Sequence, residues 1–160
     1  MDCQKKFSGW KPLDVYAHNP KLKRGNFAHL CSGAFVIDAQ ATDKLRAVLK
    51  MAGELLPIEY EDTGLSLFNA LECVNCLDGQ ETKWVLGKTT GTRIRIVEYH
   101  FRSDRLSESS IFKIPETAKA EILCIEGMKD PEDEFKAQVE AAGFTGLLFD
   151  ELWSGDHFYM

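Results

Sequence analysis

Residues 34–60, AFVIDAQATDKLRAVLKMAGELLPIEY, decide the fold because they contain a strand, a capped helix and a second strand. The apolar run 34–37 is typical of a short buried strand. Asp38 can accept an amide hydrogen bond at a helix start, and apolar residues recur at helical spacing from Ala41 to Ala52. Gly53 occupies the position after a helix that favours glycine, and residues 54–60 follow as a strand. This unit predicts a helix at about residues 39–52 packed on a sheet.

Short apolar segments continue the sheet towards the C-terminus. We expect strands within residues 65–74, 93–101, 111–114, 122–125 and 144–149, with a bulge at Val97 where the alternation fails. Asp130 and Pro131 mark the start of a second helix, at about residues 131–142. The uneven alternation of many strands with two main helices predicts an α+β fold with a mixed, largely antiparallel sheet.

The length and composition predict one globular domain over residues 1–160. Hydrophobic residues make up 44% and charged residues 28% of the chain, which is ordinary globular usage. Residues 1–32 are rich in turn signals and are predicted to be an N-terminal arm with little regular structure, packed on the domain. Residues 154–160 are predicted to form a C-terminal tail.

The net charge of −6 is unevenly distributed. Residues 1–25 carry six basic and two acidic side chains, whereas residues 103–160 carry five and thirteen. The acidic C-terminal part argues against nucleic acid and anionic membranes as partners, and would suit a basic protein. A charge of this size also serves simply to keep a small domain soluble.

Two further features of the sequence predict a cytoplasmic protein. No apolar run approaches the roughly 20 residues of a membrane span, and the first residues lack the apolar core of a secretory signal. The five cysteines are an odd number without regular spacing, which suits a reducing compartment better than a disulfide framework.

Cys73 and Cys76 form the one spacing that suggests chemistry. Structural zinc needs four ligands, and no second pair is present. A redox pair is expected at a helix start, where the dipole lowers a thiol pKa, whereas buried cysteines commonly serve only to pack a core. Core packing is favoured, and metal and redox roles remain alternatives. The sequence also lacks a nucleophile elbow and a phosphate-binding loop, so we predict no enzyme and no catalytic, cofactor-binding or metal residues.

Two surface segments are candidates for partner binding. Glu59, Tyr60, Glu61 and Asp62 could form an acidic rim beside an aromatic ring. Aromatic anchors could come from the C-terminal segment, which contains Trp153, Phe158 and Tyr159. The alternative interpretations are a solvated strand end for the first segment and docking of the second on the core.

The order of these features resembles the myxobacterial-type toxin-immunity family, whose members are encoded beside polymorphic or secretion-delivered bacterial toxins. The match spans roughly residues 10–153 and is weak between about 80 and 120. It rests on Trp10, Phe27, Gly33-Ala34-Phe35-Val36-Ile37, Ala52-Gly53-Glu54-Leu55-Leu56-Pro57, Phe68-Asn69, Asn75-Cys76-Leu77-Asp78, Asp133-Glu134-Phe135-Lys136, Val139, Ala142-Gly143-Phe144-Thr145-Gly146-Leu147 and Phe149.

The resemblance implies a bacterial immunity protein without catalytic residues. Such a protein would bind a cognate toxin that acts in the cytoplasm and neutralise it by stoichiometric occlusion. Two alternatives remain open: a small cytosolic enzyme or redox protein that uses Cys73 and Cys76, and an adaptor or chaperone for a secreted effector. The resemblance supplies no partner-contact residues.

Overall fold

The computed structural model describes residues 1–61 and 63–155 and has the predicted α+β fold. Its two α-helices are α1 (Ala39–Ala52) and α2 (Phe135–Ala141). The strands in chain order are β1 (Leu13–Asp14), β2 (Phe27–Cys31), β3 (Ala34–Ile37), β4 (Gly53–Glu59), β5 (Ser66–Ala70), β6 (Lys83–Leu86), β7 (Arg93–Glu98), β8 (Ile111–Phe112) and β9 (Leu123–Cys124). Neither described helix has the length and apolar composition that a bilayer crossing requires.

The main sheet contains five strands in the order β1-β4-β5-β3-β2. Only the β1–β4 pair is parallel, which confirms the mixed, largely antiparallel sheet. β2 lies within the segment where little regular structure was predicted. Its strand begins at Phe27, whose ring is buried edge-on against Phe35 with the centroids 5.5 Å apart. Burial of this ring in the core explains why the predicted N-terminal arm forms a strand from Phe27 onwards.

Both faces of the main sheet are covered, which explains why β3 is apolar at every position. On one face, Phe35 packs in a cluster with Leu45 of α1 and Phe135 of α2. On the other face, Val36 belongs to a second cluster, against which Trp10 of the N-terminal segment packs. The N-terminal segment therefore serves as the second layer on the sheet face that the helices leave open.

Helix α1 has its predicted bounds, but Gly53 plays a different role from the one expected. Asp38 Oδ1 accepts a 2.8 Å hydrogen bond from the Ala41 amide, which is the predicted N-terminal cap. Gly53 is in an extended conformation and starts β4 directly. A Cβ atom at Gly53 would lie 2.2 Å from the Asn69 carbonyl oxygen, so glycine is required by the close approach of β5.

The second helix begins later than predicted, at Phe135 rather than residue 131. Asp130 and Asp133 are joined by a backbone hydrogen bond of 2.8 Å in a turn that precedes the helix. The Glu134 carboxylate caps no amide of the helix. It turns back instead and accepts hydrogen bonds from three consecutive amides, those of Gly127 (2.9 Å), Met128 (2.8 Å) and Lys129 (2.9 Å). The acidic residues therefore organise a loop rather than a first helical turn.

The strand predicted over residues 144–149 is absent from the described structure. The Thr145 carbonyl oxygen accepts a 3.0 Å hydrogen bond from the Phe27 amide, which is one contact of a strand ladder with β2. At the next residue, Gly146, φ is +104°, and the chain turns away before a ladder can form. The apolar side chains of this segment still pack on the first cluster, and they are Phe144, Leu147 and Phe149.

The remaining strands build a smaller subregion around a third cluster. β8 and β9 pair over two residues each, which is shorter than the segments 111–114 and 122–125 predicted for them. β6 and β7 form a separate two-stranded hairpin. The buried members of this cluster are Cys76, Leu77, Phe112, Ile114, Leu123 and Ile125.

Candidate protein-binding surfaces

The predicted acidic rim lies at the turn that follows β4. Thr63 closes this turn by donating its backbone amide (3.0 Å) and its hydroxyl (2.6 Å) to the Tyr60 carbonyl oxygen. The Tyr60 ring packs on the second cluster, and the Arg24 guanidinium lies over it, 5.3 Å from the centroid. Tyr60 is therefore held in place as a half-buried ring beneath a cation.

Carboxylates surround Tyr60, as the sequence suggested, and one of them comes from β1. The parallel register of β1 and β4 places Asp14 beside Glu59. Both residues line an open depression that also includes Tyr60 and Glu61. Asp62 lies outside the described residues. The acidic surface thus consists of Asp14, Glu59 and Glu61, with Arg24 as a cation beside it.

The predicted aromatic anchors do not join this acidic surface in the described structure. Trp153 packs edge-on against Phe101 with the ring centroids 5.7 Å apart. Phe101 belongs to the third cluster, whereas Tyr60 belongs to the second. Phe158 and Tyr159 lie outside the described residues. Trp153 thus follows the alternative in which this segment docks on the core.

Cys73 and Cys76, the two cysteines of the sequence motif, lie in different environments. The Cys76 side chain is fully buried in the third cluster, and this burial raises the pKa of its thiol to about 11. Cys73 is exposed. The pKa of its thiol is raised, first by partial burial and then by the thiol of Cys3. Within residues 1–61 and 63–155, no three His, Cys, Asp or Glu side chains are grouped so that they could hold a metal ion.

The β6–β7 hairpin is a surface that the sequence did not identify as a site. Trp84 and Ile96 are paired across the hairpin and pack against the third cluster, which anchors it to the domain. Beyond this anchor, apolar side chains face solvent: Leu86 is 53%, Ile94 64% and Val97 51% exposed. Three exposed apolar side chains on one hairpin make it a candidate binding surface, because exposed apolar patches often mark interaction sites.

Two bulges explain why Ile94 and Val97 are exposed. In the pairing register, Trp84 opposes Ile96 and Lys83 opposes Glu98, so Val97 is left without a partner. Likewise, Val85 opposes Arg95 and Leu86 opposes Arg93, so Ile94 is left without a partner. The bulge predicted at Val97 is therefore confirmed, and a second one occurs at Ile94. Bulges redirect side chains, and they also make a strand a poor template for edge pairing.

The hairpin is basic, although the whole chain carries a net charge of −6. The Lys83 ammonium bonds to Glu98 at 2.7 Å, and the Arg93 guanidinium lies 5.0 Å from the centre of the Trp84 ring. The cations Lys88, Arg93 and Arg95 have no carboxylate partner among the described residues. The alternation of arginine with isoleucine was visible in the sequence, but which of these apolar residues is exposed depends on the bulges.

No family model matches the chain, and no curated protein matches it. The resemblance to the toxin-immunity family therefore stays a prediction.

Proposed function

We propose that this chain is an immunity-type protein that binds a bacterial toxin and blocks it by stoichiometric occlusion in the cytoplasm. The observation that carries the binding part of the proposal is the exposed, bulged β6–β7 hairpin. The toxin as partner comes from the sequence resemblance. An anchored hairpin suits this task because its apolar side chains are presented on a rigid base, so little conformational entropy is lost on binding.

The exposed side chains of the hairpin indicate what kind of surface on the partner would bind them. Ile94, Val97 and Leu86 require an apolar depression, and the cations around them require carboxylates at its rim. The bulges disfavour addition of a partner strand, so the contact is made through side chains. The overall charge of the chain suggested a basic toxin, whereas the hairpin favours an acidic contact surface.

A second candidate surface is the acidic depression formed by Asp14, Glu59 and Glu61. It would suit a basic partner, as the sequence suggested. We rank it below the hairpin because Tyr60 is half-buried under Arg24 and offers no exposed apolar anchor.

The alternative of a redox protein that uses Cys73 and Cys76 is weakened by the burial of Cys76. A buried thiol with a raised pKa is a poor source of the reactive thiolate.

The hairpin proposal predicts a large loss of affinity when charge replaces its apolar anchors. Purified wild-type protein is mixed with the toxin encoded beside its gene, and the Kd is measured by calorimetry. Ile94→Asp combined with Val97→Asp should raise the Kd by roughly 100-fold or more, because two aspartates would enter an apolar, carboxylate-rimmed depression. The double variant should also stop protecting cells that make the toxin.

The control is Leu22→Asp, which makes the same kind of change at a leucine that is 70% exposed and lies outside the hairpin. Its Kd should match that of the wild type.

A second comparison reverses charge at the acidic surface with Glu59→Lys and Glu61→Lys. If this variant loses binding while the hairpin variant keeps it, the acidic depression is the interface. If the wild-type protein neither binds the toxin nor protects cells that make it, the proposed immunity function is wrong. If a complex forms but the toxin stays active, the adaptor alternative is favoured.

A further inference from the structure

Residues 147–153, here called the acidic segment, cross the surface of the domain without regular secondary structure. Their inward side chains reach the hydrophobic clusters and are Leu147, Phe149 and Trp153. Between these anchors two leucines face solvent, since Leu148 is 87% and Leu152 40% exposed. The segment is therefore fixed to the domain at both ends while it presents apolar side chains outwards.

The charges of the acidic segment are carboxylates without a cation beside them. Asp150 and Glu151 are exposed and form no ion pair with another described residue. The Lys136 ammonium lies 5.9 Å from the centre of a phenylalanine ring of the segment, but it is paired with Glu126 and Glu140. No lysine or arginine follows Lys136 in the sequence. This surface is therefore both apolar and acidic.

The β6–β7 hairpin has the complementary character. Its exposed apolar side chains are Leu86, Ile94 and Val97, and its exposed cations without a described carboxylate partner are Lys88, Arg93 and Arg95. Each surface thus offers apolar side chains, and the two carry opposite charges. Between two such surfaces, apolar contact supplies most of the affinity, and the opposite charges select the partner and fix its orientation.

The two surfaces lie beside each other on the domain. Trp153, at the end of the acidic segment, packs against Phe101 with the ring centroids 5.7 Å apart. Phe101 in turn stacks on Tyr99 at 5.8 Å, and Tyr99 follows β7 directly. Both surfaces nevertheless remain exposed, so their complementarity is not satisfied within one chain.

We propose that a second copy of this chain binds here, with the hairpin of each copy on the acidic segment of the other. In a two-fold dimer, every contact between two different surfaces occurs twice. Two adjacent surfaces of opposite character meet this condition, because a two-fold rotation sets each of them against its complement. The dimer covers the hairpin, so self-association competes with any other partner of the hairpin, including the proposed toxin.

The test is sedimentation velocity of the full chain at increasing concentration and low salt. Wild-type protein should pass from the mass of one chain towards the mass of two. Added salt should weaken the association, because it screens exposed charges. A wild-type protein that stays monomeric at every concentration, or that forms species larger than two chains, overturns the two-fold dimer.

Two charge-reversal variants identify the surfaces. The hairpin variant combines Arg93→Glu with Arg95→Glu, and the segment variant combines Asp150→Lys with Glu151→Lys. Each variant alone should self-associate at least roughly 10-fold more weakly than the wild type, because like charges then face each other. An equimolar mixture should form a heterodimer, since the acidic hairpin of one variant meets the basic segment of the other, and the remaining two surfaces are wild-type. A heterodimer also shows that both variants are folded.

The matched control is Lys21→Glu combined with Lys23→Glu, which reverses two exposed charges outside both surfaces. This variant should dimerise like the wild type. The proposal is overturned if either reversal at the two surfaces leaves the dimer intact, or if their mixture stays monomeric. The experiment contains no toxin, so the dimer and the immunity function can each fail alone.

Discussion

Replacing Gly146 with alanine is expected to lower the free energy of unfolding by about 4 kcal/mol, from a strained φ and a steric clash together. The φ of +104° at Gly146 is one that residues with a side chain rarely adopt. A Cβ atom there would lie 2.2 Å from the Phe27 carbonyl oxygen. This obstacle is the backbone of β2, which is hydrogen-bonded to β3 and cannot move without disrupting the sheet.

The measurement is equilibrium denaturation of the variant beside Gly79→Ala. Gly79 has no positive φ, and a Cβ atom there would meet nothing within 4 Å. Its substitution should change the free energy of unfolding by no more than about 0.5 kcal/mol. Equal stabilities for the two variants would show that the contact between residues 144–147 and β2 contributes little to the fold.

Glu134→Gln is expected to lower the free energy of unfolding by about 3 kcal/mol, because three charge-assisted hydrogen bonds to a buried carboxylate are lost. Glu134 is buried, and its carboxylate accepts the amides of Gly127, Met128 and Lys129. A glutamine side chain offers one acceptor oxygen, and its NH₂ group would face amides that also donate. The loop over residues 127–129 would therefore lose the group that organises it.

Glu132→Gln is the matched control, since it removes the same charge from the same acidic run at an exposed position. Its stability should lie within about 0.5 kcal/mol of the wild type. If Glu132→Gln destabilises the protein as much as Glu134→Gln, net charge rather than the amide bonds explains the effect.

The pH dependence gives a second readout of the same carboxylate. Burial alone would raise the pKa of Glu134, but the three amide bonds outweigh burial and hold the pKa below its ordinary value of 4.5. The stabilisation by the carboxylate is therefore complete above pH 4.5 and is lost as the pH falls through the folded-state pKa. Wild-type protein should lose more stability than Glu134→Gln over this acid range.

The parts of the fold that could be predicted from the sequence are those set by local chemistry. Asp38 caps α1, and the apolar residues at helical spacing form the buried face of the helix. These local signals predict the bounds of α1. The bulge at Val97 was visible because alternation fails there. The adjoining strands β3 and β4 were also anticipated, because continuous apolar runs beside a capped helix leave few other structures.

The parts that could not be predicted depend on contacts between distant segments. Glu134 belongs to an acidic run typical of a first helical turn, but the loop before it competes for its carboxylate. Residues 144–149 have the composition of a strand, yet Gly146 turns the chain after one contact with β2.

The candidate binding surfaces could be predicted only in part, because they too depend on contacts between distant segments. The acidic residues Glu59 and Glu61 were identified as a surface, but Asp14 joins them only through the parallel β1–β4 register. For Trp153 the sequence left open a partner anchor or docking on the core, and the contact with Phe101 depends on the fold. The exposure of Ile94 follows from a register step that only the pairing with β6 reveals.

The proposal that the β6–β7 hairpin is the docking surface is tested most directly by hydrogen exchange of this chain alone and in complex with the proposed toxin partner. Amides of residues 83–98 should exchange more slowly in the complex, and those around Asp14 and residues 59–61 should be unchanged. A stable, inhibited complex in which residues 83–98 exchange as in the unbound protein, with protection elsewhere, would contradict the proposed binding surface.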